Sequence, residues 1–171
     1  MSESTAGAWV LDPAGSSAEF LGKSFWGMLP VRGKFGSVSG SGTVGEDGTI
    51  SGQIVIDVTG LSSNNKQRDK HLRSADFFNA EQHPNITVTV SSAKLDGSSL
   101  ACVGTFSAAG TDNVPVTFTA RVESASDDAV VLSAVLPMSR GKLGMKWQQP
   151  GMPGMVKDAT QGSVKVRFVR S

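Results

Sequence analysis

Arg68, Lys70, His71 and Arg73 fall within one short run and form the densest group of chemically capable side chains in the sequence. Arginine forks match phosphate oxygens, so this group could hold an anionic head group such as a pyrophosphate. The alternative is a solvated helix face on which Asp69 and Arg73, four residues apart, pair for local stability. Catalysis finds less material. Asp69 and His71 are two apart, hence on different faces of a helix and a poor acid–base pair. His71 and His83 are the only histidines, and no His/Cys spacing supplies the three or four ligands that zinc wants. Cys102, the only cysteine, can form no internal disulfide; lacking an obvious base, it reads as an inert buried thiol. Gly40-Ser41-Gly42-Thr43-Val44-Gly45 spells G-x-G-x-x-G, but a turn and a strand follow where a dinucleotide site needs a helix N-terminus. No Gly-x-Ser-x-Gly stands before a helix. The expectation is a protein without metal, cofactor or catalytic residues.

The basic residues must be positioned by a segment unlike the rest of the chain. From Arg68 to Pro84 charges crowd together, β-branched residues are absent, and Phe77 and Phe78 interrupt a polar background. Asn64 or Asn65 can cap a helix there. Leu72 and Ala75 share a face at helical spacing, and Ser74 can cap a second turn carrying Phe77 and Phe78. His83 precedes Pro84, which returns the chain to an extended path. The segment reads as a helical insert over about residues 65–80, basic outside and aromatic inside, suited to plugging or rimming a barrel.

The remainder reads as strands. Trp9-Val10-Leu11 leads, through a bend at Gly15, into the alternation at Ala18 and Phe20. Phe25 to Pro30 is an apolar loop, and Val31, Gly33, Phe35, Val38 and Val44 alternate after it. Ile50, Ile54, Ile56 and Val58 oppose Gln53, Asp57 and Thr59, the pattern of an antiparallel strand with one wet face. Ile86–Val90, Leu100–Phe106, Val116–Val122, Val130–Leu136 and Val164–Phe168 continue the series. Turns are signalled at Glu46-Asp47-Gly48, Asp96-Gly97, Ala109-Gly110 with Asp112-Asn113, and Asp127-Asp128. About eight strands and one helical insert make an up-and-down barrel or a sandwich, and the barrel is preferred. The inward rows mix Gly, Ala, Val and Cys with few large residues, whereas a filled interior would carry more Leu and Phe; the barrel is therefore expected to be hollow. The loop from Arg140 to Gly162 carries Met145, Met152, Met155 and Trp147 between Pro-Gly turns, and reads as a lid built from adaptable side chains.

With 171 residues, the chain suits one domain over 1–171. A formal net charge of +1 gives no electrostatic case for nucleic acid. No apolar run reaches the ~20 residues of a transmembrane helix. The first residues, with Glu3 and no basic start before an apolar run, do not resemble a secretory signal, so cytoplasmic residence is expected.

Arg68-Asp69, His71-Leu72, Phe77-Phe78 and Pro84 together resemble the signature of the YceI-like, polyisoprenoid-binding family. Trp9-Val10-Leu11-Asp12, Val31-Arg32-Gly33-Lys34-Phe35, Gly104-Thr105-Phe106 with Gly110, and Arg140 with Gly144 are similar to its flanking motifs. The sequence departs from the family pattern near Gly15 and Ser24, where histidines are usual, and at Lys142, where an acidic residue is usual. The resemblance implies an all-β, eight-stranded, lipocalin-like antiparallel barrel whose cavity takes a long apolar ligand, a polyisoprenoid or isoprenoid quinone. Ligand contacts are then expected from Phe20, Phe25, Trp26, Phe35, Ile54, Ile56, Phe77, Phe78, Val88, Phe106, Val116, Phe118, Met145 and Trp147. The head group would fall to Arg68, Lys70, His71 and Arg73. The implied role is non-catalytic carriage or sequestration, with a homodimer possible. Two other readings stay open: an enzyme acting on such a lipid through His71, and an interaction module with a solid barrel that grips a protein through its Met-Trp loop.

Overall fold

The computed structural model describes residues 6–24, 28–143, 145, 150–152 and 159–171. Among the described residues ten strands form one antiparallel sheet: β1 (Gly7–Leu11), β2 (Ser17–Ser24), β3 (Leu29–Lys34), β4 (Val38–Val44), β5 (Ile50–Asp57), β6 (Asn85–Asp96), β7 (Ser99–Ala108), β8 (Thr111–Ala125), β9 (Ala129–Ser139) and β10 (Ala159–Arg170). The helix α1 (Lys66–Leu72) lies between β5 and β6. The order β1-β4-β5-β6-β7-β8-β9-β10 returns to β1 through Trp9↔Arg170 and Leu11↔Phe168, which closes the sheet. Closure removes the free edges that an open sheet of alternating strands would expose. The result is the expected closed eight-stranded, lipocalin-like barrel.

Ten segments make eight staves because the first two staves are each broken. Asp12 caps a short 3₁₀ turn at Pro13–Gly15, accepting from Ala14 N at 3.2 Å, and its carboxylate meets Arg167 Nη1 at 2.8 Å. The chain then resumes along β10, Ser17–Leu21 facing Lys165–Gln161. The second stave breaks at Phe35–Ser37, where Phe35 N donates to Ala18 O and Gly36 N to Asp57 O. Gly33 permits the fit: a β-carbon there would stand 2.2 Å from Phe20 Cε1, so the Phe20 ring lies directly on the glycine. Irregularities at Ile50/Gly52, Val90/Ser92, Phe106/Ala108 and Val122/Ser124 add the local twist that curvature requires.

Three local expectations are corrected. Leu29 and Pro30 belong to β3 rather than to a loop, because they pair with Ser24 and Lys23. Asp112 and Asn113 open β8; Ala109 and Gly110, both at positive φ, suffice for the hairpin. Ala75 is exposed and does not share the buried face of Leu72, because α1 has already ended.

The two barrel ends differ. One carries the β4–β5, β6–β7 and β8–β9 hairpins with the chain termini. The other carries the helical insert and the β7–β8 hairpin. The main core fills the helix end with Phe20, Phe35, Val38, Ile56, Phe78, Ile86 and Phe106, all buried. A separate small cluster of Trp9, Val44 and Val130 crosses the barrel near the termini. Ile50, Val122, Leu132 and Phe168 are half-buried and touch both clusters. Among the described residues no helix is long and apolar enough to cross a membrane.

Candidate functional site: the barrel interior and its helical plug

The helical insert is held by its own polar residues. Asn65 caps α1, its Oδ1 accepting from Arg68 N at 3.0 Å. Asp69 is buried; its carboxylate accepts from Ser63 N at 2.7 Å and from the Ser63 hydroxyl. Arg68 closes the same loop, Nε donating to Ser63 Oγ and Nη2 to Ser63 O, both at 2.9 Å. Arg73 Nη1 donates to Leu61 O at 2.7 Å. The local pairing of Asp69 with Arg73 gives way to these contacts because the preceding loop presents backbone groups that need partners. His71 Nε2 lies 2.9 Å from Asp76 Oδ2, and its ring meets Phe77 edge-on at 5.1 Å. Lys70 is exposed.

The inner side of the insert is aromatic. Phe20, Phe35 and Phe78 form a triangle with centroid separations of 5.4, 5.8 and 5.5 Å, mostly edge-to-face. Phe77 carries the buried Arg140 guanidinium 5.6 Å above its ring, and Arg140 Nη1 donates to Met145 O at 2.8 Å. Leu143 and Met145 are buried against this end.

Between the aromatic triangle and the Trp9 cluster the barrel is hollow. A cavity of about 110 Å³ lies among Trp9, Val44, Ile50, Ile54, Val88, Val90, Ala93, Leu100, Cys102, Phe118, Ala120, Val130, Leu132, Ala134, Leu136, Val164, Val166 and Phe168. Its wall is almost wholly apolar carbon. Space exists where inward positions are small: Ala93, Cys102, Ala120 and Ala134 line the hollow part, with Gly42 and Gly52 in the wall. Cys102 donates weakly to Leu100 O at 3.6 Å, and burial raises its pKa above the ordinary thiol value of 9.0. Among the described residues no cluster of His, Cys, Asp and Glu could hold a metal ion.

The residues expected to contact ligand divide by position. Ile54, Val88 and Phe118 line the cavity. Phe20, Phe35, Ile56, Phe78, Phe106 and Met145 pack in the buried core, with Phe77 and Val116 half-buried against it. Phe25, Trp26 and Trp147 lie outside the described residues, as does Met155 of the expected lid. Phe168, expected as lining from its place in the aromatic set, is there; Trp9, Ala93, Ala120, Leu132 and Ala134 were not anticipated as lining. Alternation places several of them inward, and small size at an inward position was the signal for space.

Fold and interior together define a lipocalin-like barrel with an apolar cavity and a helical plug. Residues 9–169 match the family model described as the YceI-like domain, and the chain belongs to that family. It is 36% identical over 100 residues to Protein YceI of Shigella flexneri and of Escherichia coli O157:H7, matching 57% of this chain and 52% of those proteins. The chain thus spans about half the length of the curated relatives it matches. Among solved structures, Burkholderia cenocepacia BcnA superposes with a TM-score of 0.80 at 21% identity, covering 92% of this chain and 98% of BcnA. A Saccharophagus degradans domain described as polyisoprenoid-binding gives a TM-score of 0.72 at 14% identity, covering 96% and 99%.

Proposed function

We propose that the barrel binds a long-chain apolar ligand of the polyisoprenoid or isoprenoid-quinone class without changing it chemically, acting over 1–171 as a carrier or buffer. The observation that carries this reading is an apolar hollow inside a small barrel, kept open by small inward residues rather than filled. Each CH₂ moved from water into such a space gains about 0.8 kcal/mol before ordering costs. The description of the S. degradans domain supports the ligand class.

The present hollow of about 110 Å³ is small beside the ~300–1,000 Å³ of sites that engulf drug-sized ligands. A long chain therefore enters by displacing packed residues, and the aromatic triangle is the layer that gives way. Charge orients the ligand. The hairpins at the termini end carry Glu46-Asp47, Asp96 and Asp127-Asp128, whereas the insert at the other end sets Lys66, Arg68, Lys70 and Arg73 against Asp69, Asp76 and Glu81, with Asp69 buried on Ser63. An anionic or strongly polar head is favoured at the helix end. Lys70 supplies outward charge there, while Arg68 and Arg73 shape the loop that presents it.

Organic extraction and native mass spectrometry of the purified protein test the reading. A stoichiometric apolar adduct, lost on denaturation, is expected. A bare mass that stays bare after soaking with prenyl alcohols and quinones would favour a protein-interaction module instead. Cytoplasmic residence, expected from the sequence, is tested by cell fractionation.

A further inference from the structure

The end wall of the cavity is dominated by one large side chain held from outside. Trp9 is buried at 4% exposure and faces the cavity directly. Its neighbours Val44 and Val130 complete a thin layer, separate from the main core. On the outer side, the Arg170 guanidinium lies 4.6 Å from the centre of the indole. That guanidinium is itself fixed: Nη1 donates to Ala6 O at 2.6 Å and Nε to Asp127 O at 3.0 Å. The indole is therefore clamped between the cavity and a tethered cation, and tethering limits its freedom to swing aside. The opposite wall is different in kind, being the Phe20–Phe35–Phe78 triangle together with Phe106, reached by the helical insert.

Resting on the binding role proposed above, we infer that Trp9 sets the chain length of the ligand: the apolar tail runs from the helix end and stops against the indole. Arg170 is already engaged by the indole and by the Ala6 and Asp127 carbonyls, and the exposed hairpins beside it carry Glu46-Asp47 and Asp127-Asp128, which disfavours an anionic head at that end. A wall made by one large side chain is also the kind that a substitution can move. Shortening Trp9 adds space along the cavity axis without touching the residues that hold the rest of the chain.

The test is competition among geraniol, farnesol, geranylgeraniol and solanesol for the purified full chain, read by native mass spectrometry. It uses wild type, Trp9→Phe, Trp9→Ala and Arg170→Gln. Wild type is expected to prefer one chain length. Trp9→Ala should shift that preference upward by about one five-carbon unit, as a large-to-small change leaves a cavity behind. Trp9→Phe should shift it less, and Arg170→Gln, which loosens the clamp, should broaden retention toward longer chains. If Trp9→Ala does not fold, the Phe and Gln variants decide. An unchanged preference in folded variants overturns the role of Trp9 and leaves the binding role standing. Failure of wild type to retain any of the alcohols overturns both.

Discussion

Phe78 of the helical insert and Phe35, at the break in the second stave, meet edge-to-face with centroids 5.5 Å apart and planes at 87°. The contact joins the insert to the sheet and, with Phe20, seals the helix end of the barrel. Phe78→Ala removes a buried ring from this layer and should cost about 3–5 kcal/mol of stability. Urea unfolding monitored by circular dichroism measures it. A change below about 1 kcal/mol would show that the insert is not held by the triangle.

Asp69 is the polar counterpart of Phe78. Its buried carboxylate takes both the backbone N–H and the hydroxyl of Ser63. Asp69→Ala leaves that N–H without its partner and should destabilise by about 2–3 kcal/mol. Lys70→Ala, at an exposed neighbour, should change stability by under about 0.5 kcal/mol. Chemical denaturation of the pair separates the structural residue from the solvent-facing one.

Gly33 cannot carry a β-carbon beneath the Phe20 ring without moving it. Gly33→Ala is expected to cost about 1–3 kcal/mol through overpacking. Gly33→Ala combined with Phe20→Leu should recover part of that loss, which a double-mutant cycle reads directly.

Cys102 reports on the cavity from within. Burial raises its pKa, so alkylation should be slow at neutral pH and speed up as the pH rises past 9.0. Because folding raises the proton affinity of this thiol, its contribution to stability is fully present below the unfolded value and lost as pH rises through the higher folded value. A bound prenyl chain should slow alkylation several-fold further. Equal rates with and without lipid would place the lipid elsewhere.

The fold was legible because alternation and turn residues agree along most of the chain. Ile50–Val58 and Val116–Val122 show one wet face, and Asp96-Gly97 and Ala109-Gly110 mark hairpins that the structure contains. The helical insert was legible from its loss of β-branched residues and the Asn65 cap. What sequence did not reveal was tertiary. Asp69 could be seen to have a partner at helical spacing in Arg73, but not that Ser63 would fold back to take it. The interior showed the same limit. Large aromatics drew the expectation of ligand contact, yet a large side chain at an inward position fills space. Phe20, Phe35, Phe78 and Phe106 pack solidly, while Ala93, Cys102, Ala120 and Ala134 leave the room.

Photo-crosslinking asks whether an apolar chain lies in the hollow half of the barrel. A prenyl alcohol bearing a diazirine near its apolar end would be irradiated with the purified protein and the labelled peptides sequenced. Labels are expected on Trp9, Cys102, Ala120 and Leu132, which all line the cavity. Labels confined to outward residues such as Val103 and Val135, or to α1 alone, would contradict that expectation.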